Sequence, residues 1–139
     1  MSNEFTMRRQ DAELSQSKAL PATATTIYST ALDLGETPSQ GALLGDVECE
    51  IVAPELETAE IPENETLTYA IQDSADNSSF ATIADEVIVQ TGSYSSGAEA
   101  STKRFRLPTS VRRYIRLAVT GSSGIGDCSG STGILRLLA

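Results

Sequence analysis

The chain has 139 residues, 40% of them hydrophobic and 21% charged, with a formal net charge of -9, two cysteines and no histidine. That length holds one domain with a real core and not two, and the balance of apolar to charged residues excludes wholesale disorder. The acidity excludes non-specific attraction of the whole molecule to nucleic acid, and no run of about 18 apolar residues offers a membrane-spanning helix.

Residues 1–25 mix Phe5, Met7, Arg8, Arg9, Leu14 and Leu20 with polar residues in neither a helical nor a strand period. They are expected as an N-terminal arm, either a disordered terminus or one that orders on a partner. A short helix capped by Asp11 and running to Ala19 is the alternative, with Pro21 ending the stretch in either case. The first residues, MSNEFTMRRQDAELSQ, lack the apolar block of a secretory signal, so the chain is expected to stay where it is made.

From Thr26 to residue 139 a β domain is expected. TIYSTALDLG reads as a strand, with Gly35 and Pro38 marking the loop after it. In DVECEIVAP, Val47, Cys49 and Ile51 alternate with Glu48 and Glu50, the pattern of a strand wet on one side. Cys49 then takes a core position, and without a disulfide framework both it and Cys128 read as free thiols. The acidic stretch Glu55 to Glu65 is a loop leading to TLTYAIQD, with Leu67, Tyr69 and Ile71 inward. DSADNSS is turn chemistry. Short strands follow at Ser79 to Ala84 and Glu86 to Thr91, then a small-residue loop that contains Tyr94.

Residues 102–120, TKRFRLPTSVRRYIRLAVT, read as a β-hairpin turning at Thr109 and Ser110. One face presents Ile115, Leu117 and Val119, and the other is assigned Arg104, Arg106 and Arg116 with Tyr114. Three guanidinium groups on neighbouring strands repel unless something anionic lies beside them. No Lys or Arg occurs between Ala19 and Thr102, so the partner is either an internal acidic strand or the acidic surface of a neighbouring subunit. GSSGIGDCSGSTG is expected as a mobile connection, and GILRLLA as a closing strand. About eight short strands with irregular connections make an all-β fold, a β-sandwich or jelly roll.

The chemistry left open is narrow. Without histidine there is no Ser-His-Asp or Cys-His nucleophile, and no imidazole zinc site. Glu48 and Glu50 are the one carboxylate pair on a strand face, and solvated surface accounts for them. Asp73, Asp76 and Asn77 offer oxygen ligands but lack the twelve-residue calcium loop. Gly124 and Gly126 are followed by Ser129 where a nucleotide loop wants a third glycine. No catalytic, metal or cofactor residue is assigned.

The succession DAELSQSKAL, TTIYSTALDLG, TYAIQDSADNSSF and FRLPTSVRRYIRLAVT, followed by a glycine-rich run and a terminal strand, resembles the jelly-roll cement (decoration) proteins of tailed-bacteriophage capsids. The resemblance implies a non-enzymatic, homo-oligomeric protein on the outer surface of the virion that clamps the major capsid protein, present in the host cytoplasm during assembly, with no cofactor, nucleic acid or membrane partner. Subunit or capsid contacts would then fall to Phe5, Met7, Arg8, Arg9, Leu14, Arg104, Arg106, Tyr114 and Arg116. The competing expectation is a receptor- or glycan-binding β-sandwich of a tail structure, with a paired-carboxylate hydrolase a distant third.

Overall fold

A computed structural model describes residues 10–34, 48–108 and 110–138. Phe5, Met7, Arg8 and Arg9, the loop marked by Gly35 and Pro38, Val47 and Thr109 lie outside the described residues.

Among the described residues there are nine strands: β1 (Gln10–Ala19), β2 (Thr26–Tyr28), β3 (Leu32–Asp33), β4 (Glu48–Ala53), β5 (Thr66–Ser74), β6 (Ala81–Thr91), β7 (Ser101–Arg106), β8 (Tyr114–Gly121) and β9 (Thr132–Leu138). They form two antiparallel sheets, one in the order β1-β9-β4-β7 and the other in the order β2-β8-β5-β6, with β3 also on β8. Tyr28 pairs with Ala118 and Leu32 with Ile115, so β2 and β3 are one strand broken between them. The break is held by Ser29, whose N–H donates to the Leu117 carbonyl and whose hydroxyl oxygen accepts the Leu117 N–H.

With β2 and β3 counted together, the first strand pairs with the last, the second with the second-last, and so inward to the β5–β6 hairpin. The ribbons alternate between the sheets, which is a long hairpin wound into a jelly roll. The alternation read from the sequence sets the core. Cys49 and Ile51 of β4, Leu67, Tyr69 and Ile71 of β5, Ile115, Leu117 and Val119 of β8, and Leu135 of β9 are all fully buried between the sheets.

Three expectations are corrected. Residues 10–19, expected as an arm or a short helix, form edge strand β1 on β9. An edge strand is held by backbone pairing and needs little apolar period of its own, which left QDAELSQSKA unreadable as a strand. The two strands expected between Ser79 and Thr91 are one, β6, with a register shift near Glu86, whose φ of 48° marks a bulge. The expected hairpin of residues 102–120 does not exist. β7 pairs with β4 in one sheet and β8 with β5 in the other. Leu107 and Val111, both buried, draw the chain across the end of the sandwich instead of around a tight turn.

At the opposite end, four loops are bonded to one another. The N–H of Gly92 donates to the Glu65 carbonyl, that of Gly126 to Glu60, that of Cys128 to Pro21 and that of Leu20 to Ser131. The glycine run expected as a mobile connection is thus tied along its length. Gly126 must be glycine there because a Cβ would collide with the Ala59 carbonyl oxygen.

Beneath this cap the buried Tyr69 hydroxyl donates to Gln90 Oε1 at 2.7 Å, while Gln90 Nε2 donates to the carbonyls of Pro54 (2.7 Å) and Glu99 (3.0 Å). This fastens β5 and β6 to two loops. Tyr69→Phe leaves the Gln90 carbonyl without its donor, and an unsatisfied buried acceptor costs about 1–3 kcal/mol. The expected result is a loss of that size in urea unfolding, with the circular dichroism of the native state unchanged.

Candidate interaction surface

The outer face of the first sheet is organised by Glu50. Register places Arg104 of β7 on one side of it and Arg136 of β9 on the other. Arg104 Nε donates to Oε2 at 2.7 Å and Arg136 Nε to Oε1 at 2.6 Å. Glu50, expected as solvated surface, is 3% exposed, because it stands on an inner strand beneath the stems of two long side chains. Burial by itself would raise its carboxyl. The hydrogen bonds and charges of Arg104 and Arg136 together outweigh that and hold it below the usual carboxylate value. One step along β7, Arg106 stands opposite Glu48 and is exposed.

Arg116 belongs to the other sheet. Its guanidinium lies 3.8 Å from the ring centres of both Tyr28 and Phe80, and its Nε donates to Gln72 Oε1 at 2.9 Å. Burial between the rings draws Arg116 below its ordinary pKa. Tyr114, half-buried, lies under Arg113 at 5.1 Å. The single face expected to carry Arg104, Arg106, Arg116 and Tyr114 is therefore divided between two sheets, because its two strands separate after Arg106. Leu14 lies in β1, at the edge of the first sheet.

Two ion pairs that were not expected hold the crossing from β7 to β8. Asp73, buried at the end of β5, accepts Nη2 and Nε of Arg112 on Oδ1 (2.8 and 3.1 Å) and the Arg112 N–H on Oδ2 (2.9 Å). Arg113 binds Asp33 with two parallel bonds of 2.8 and 3.0 Å. The acidic residue of each pair is a strand residue, 39 or 80 positions from its arginine, so only the register brings them together. The adjacent pair Arg112-Arg113 was the one local signal for them.

Two of the oxygen ligands weighed for chemistry have structural partners. Asp73 serves Arg112, and Asp76 accepts the N–H groups of Ser79 and Ser78 and the Ser74 hydroxyl, bonds that lower its carboxyl and close the turn. Among the described residues no three of Cys, Asp and Glu converge on a metal position. Burial pushes the Cys49 thiol up to about 12 and the Cys128 thiol up to about 11, so neither is a thiolate at neutral pH.

The Bbp16 family model matches residues 14–130. The chain belongs to the Bbp16 family. No curated protein matches this Bbp16-family chain. Among solved structures it is similar to the PBSX exported protein XepA (16% identity, TM-score 0.47, covering 88% of this chain and 34% of that one). It is also similar to a protein of infectious bursal disease virus, Gx strain (16%, 0.40, 95% and 30%), and to Xylanase10C of Cellvibrio japonicus in complex with xylopentaose (10%, 0.42, 95% and 27%). The chain spans about a third or less of each of those proteins.

Because the Glu50 carboxyl lies below its unfolded-chain value of about 4.3, the folded state binds fewer protons than the unfolded state in that window. The contribution is complete above about pH 4.3 and is lost as pH falls through the folded value. Melts across this range should show a steeper acid loss for the native chain than for Glu50→Gln. At neutral pH, Arg104→Ala with Arg136→Ala removes both partners and the stems that cover the carboxylate, so water reaches it. That double change should cost about 1.5–3 kcal/mol in urea unfolding, the range of lost charged hydrogen bonds, and less than the penalty of a buried unpaired ion.

Proposed function

We propose that this protein is a capsid cement, or decoration, protein of a tailed phage. It binds the major capsid protein on the outer surface of the shell, associates with itself, and performs no catalysis. The observation that carries this reading is where the family-like motifs fall on the fold. DAELSQSKAL runs along β1, TTIYSTALDLG supplies β2 and β3, TYAIQDSADNSSF lies on β5 and its turn, and FRLPTSVRRYIRLAVT spans β7, the sheet crossing and β8. They supply at least one strand of each of the four ribbons, in chain order. Membership of the Bbp16 family over residues 14–130 supports the same reading.

The chemistry of the fold is in keeping with it. Carboxylates that could act as acid or base are used as structural ties at Glu50 and Asp73, and the thiols are protonated. What is left for function is surface. A jelly roll by itself hosts many activities, so the assignment rests on the motif order and not on the fold alone.

Phe5, Met7, Arg8 and Arg9 are the proposed anchor to the shell. Burial of Phe5 and Met7 on a partner would contribute about 1.5–3 kcal/mol for each side chain, and Arg8 and Arg9 would add charge complementarity to an acidic surface. Removing residues 1–9 leaves β1 whole, so it separates anchoring from folding. The full chain should co-sediment with purified shells, and the truncated chain should melt at the same temperature while binding much less. Failure of the full chain to bind any shell, or full binding of glycans instead, would overturn the proposal.

A further inference from the structure

Arg104, Arg112, Arg113 and Arg136 each pair with a carboxylate, and Arg106 stands exposed opposite Glu48. Arg116 differs from all of these. It is half-buried and has no carboxylate partner among the described residues. Its guanidinium is stacked by Tyr28 and by Phe80, and its Nε is taken by Gln72 Oε1, while Gln72 Nε2 lies 3.5 Å from Thr82 Oγ1. The plane of the guanidinium is therefore fixed. The N–H groups of its two Nη atoms have no acceptor among the described residues, and they reach solvent, since no buried side-chain nitrogen there lacks a partner. The rings exclude water that would otherwise solvate the charge, and no anion compensates it.

The sheet face beside Arg116 is flat and without carboxylates. Two residues along β8, Ala118 stands next to Ala70 of β5, and these small side chains leave the centre of the face level. Two residues further, Thr120, Thr68 and Val89 form a row across β8, β5 and β6. None of these is Asp, Glu or Lys, in a chain whose net charge is -9. Among the described residues three large apolar side chains are exposed, and two of them, Tyr28 and Val89, lie on this face. Small-molecule sites are concave. A flat patch that holds aromatic and arginine side chains and lacks Asp, Glu and Lys has the composition of the centre of a protein interface.

We infer that the outer face of the β2-β8-β5-β6 sheet docks on the shell, with Arg116 receiving an Asp or Glu side chain of the major capsid protein on its two Nη groups. Because Nε is already bonded to Gln72, the carboxylate approaches end-on, and its two oxygens meet parallel N–H groups. The stack holds the guanidinium in place before docking, so little side-chain freedom is lost on binding. A single cation on an acidic chain suits a carboxylate of a protein better than the phosphate array of a nucleic acid. The inference rests on the cement reading and adds a folded surface to the anchor at Phe5 and Met7.

Co-sedimentation of the full chain with shells stripped of the protein tests it, with melting temperature followed in parallel. Arg116→Gln should weaken binding about tenfold, and Arg116→Lys, which keeps the charge but offers no planar fork, should not restore it. Both changes also remove the stack between Tyr28 and Phe80, so Thr68→Arg supplies an independent route. It leaves Arg116 in place, raises a long charged side chain from the flat face, and should block docking. Thr102→Arg, the same change on the exposed outer face of the other sheet, should bind as the unchanged protein does. Full binding by Arg116→Gln and Thr68→Arg, or equal loss in Thr68→Arg and Thr102→Arg, would overturn the inference and leave the cement reading standing. So would Arg116→Gln binding shells fully while altering the sedimentation of the free protein or losing an acidic glycan, which would give the face to a second copy or to a sugar acid. Failure of the unchanged chain to bind shells would instead overturn the cement reading itself.

Discussion

The pairing of the first strand with the last, and of each successive strand with its counterpart, is the constraint on which the rest of the structure depends. Apart from the β5–β6 hairpin, every ladder joins segments distant in sequence. Little of the sheet can form until the chain has folded back on itself, which is costly in loop entropy and typical of slow-folding β sandwiches. The devices that stabilise the ends follow from this. Arg112 clasps Asp73 where β7 crosses to β8, and the Gln90 amide ties β6 to the loops after β4 and before β7.

Electrostatics is used in two ways. At Glu50 a single carboxylate serves two guanidinium groups and lets the centre of a sheet face carry charge without an unpaired buried ion. In the cap, acidic groups stand together with no basic residue among them. The first arrangement is complete within one chain. The second leaves Glu55, Glu57 and Glu63 exposed to solvent.

The inward residues were legible in the sequence because period two is a local property. Leu67, Tyr69 and Ile71, and likewise Ile115, Leu117 and Val119, occupy the core their alternation assigns them. β1 was not legible, because a polar edge strand shows no such alternation. The separation of β7 from β8 was hidden because Pro108 and the short polar stretch after it suit a turn as well as a crossing, and only the buried Leu107 and Val111 decide between them. Glu50 read as solvated for a related reason. Its burial depends on Arg104 and Arg136, which lie 54 and 86 positions away, and no local pattern announces them.

These features describe a protein whose buried carboxylates, Glu50 and Asp73, are committed to its own architecture. Its proposed role, cementing a phage shell, has a mechanical consequence that binding alone does not measure. Heating shells and following release of the packaged nucleic acid by dye fluorescence tests it most directly. Shells stripped of the protein should release their contents at a lower temperature than native shells, and adding back the purified chain should restore the native value. Identical release temperatures with and without the protein would contradict the cement role.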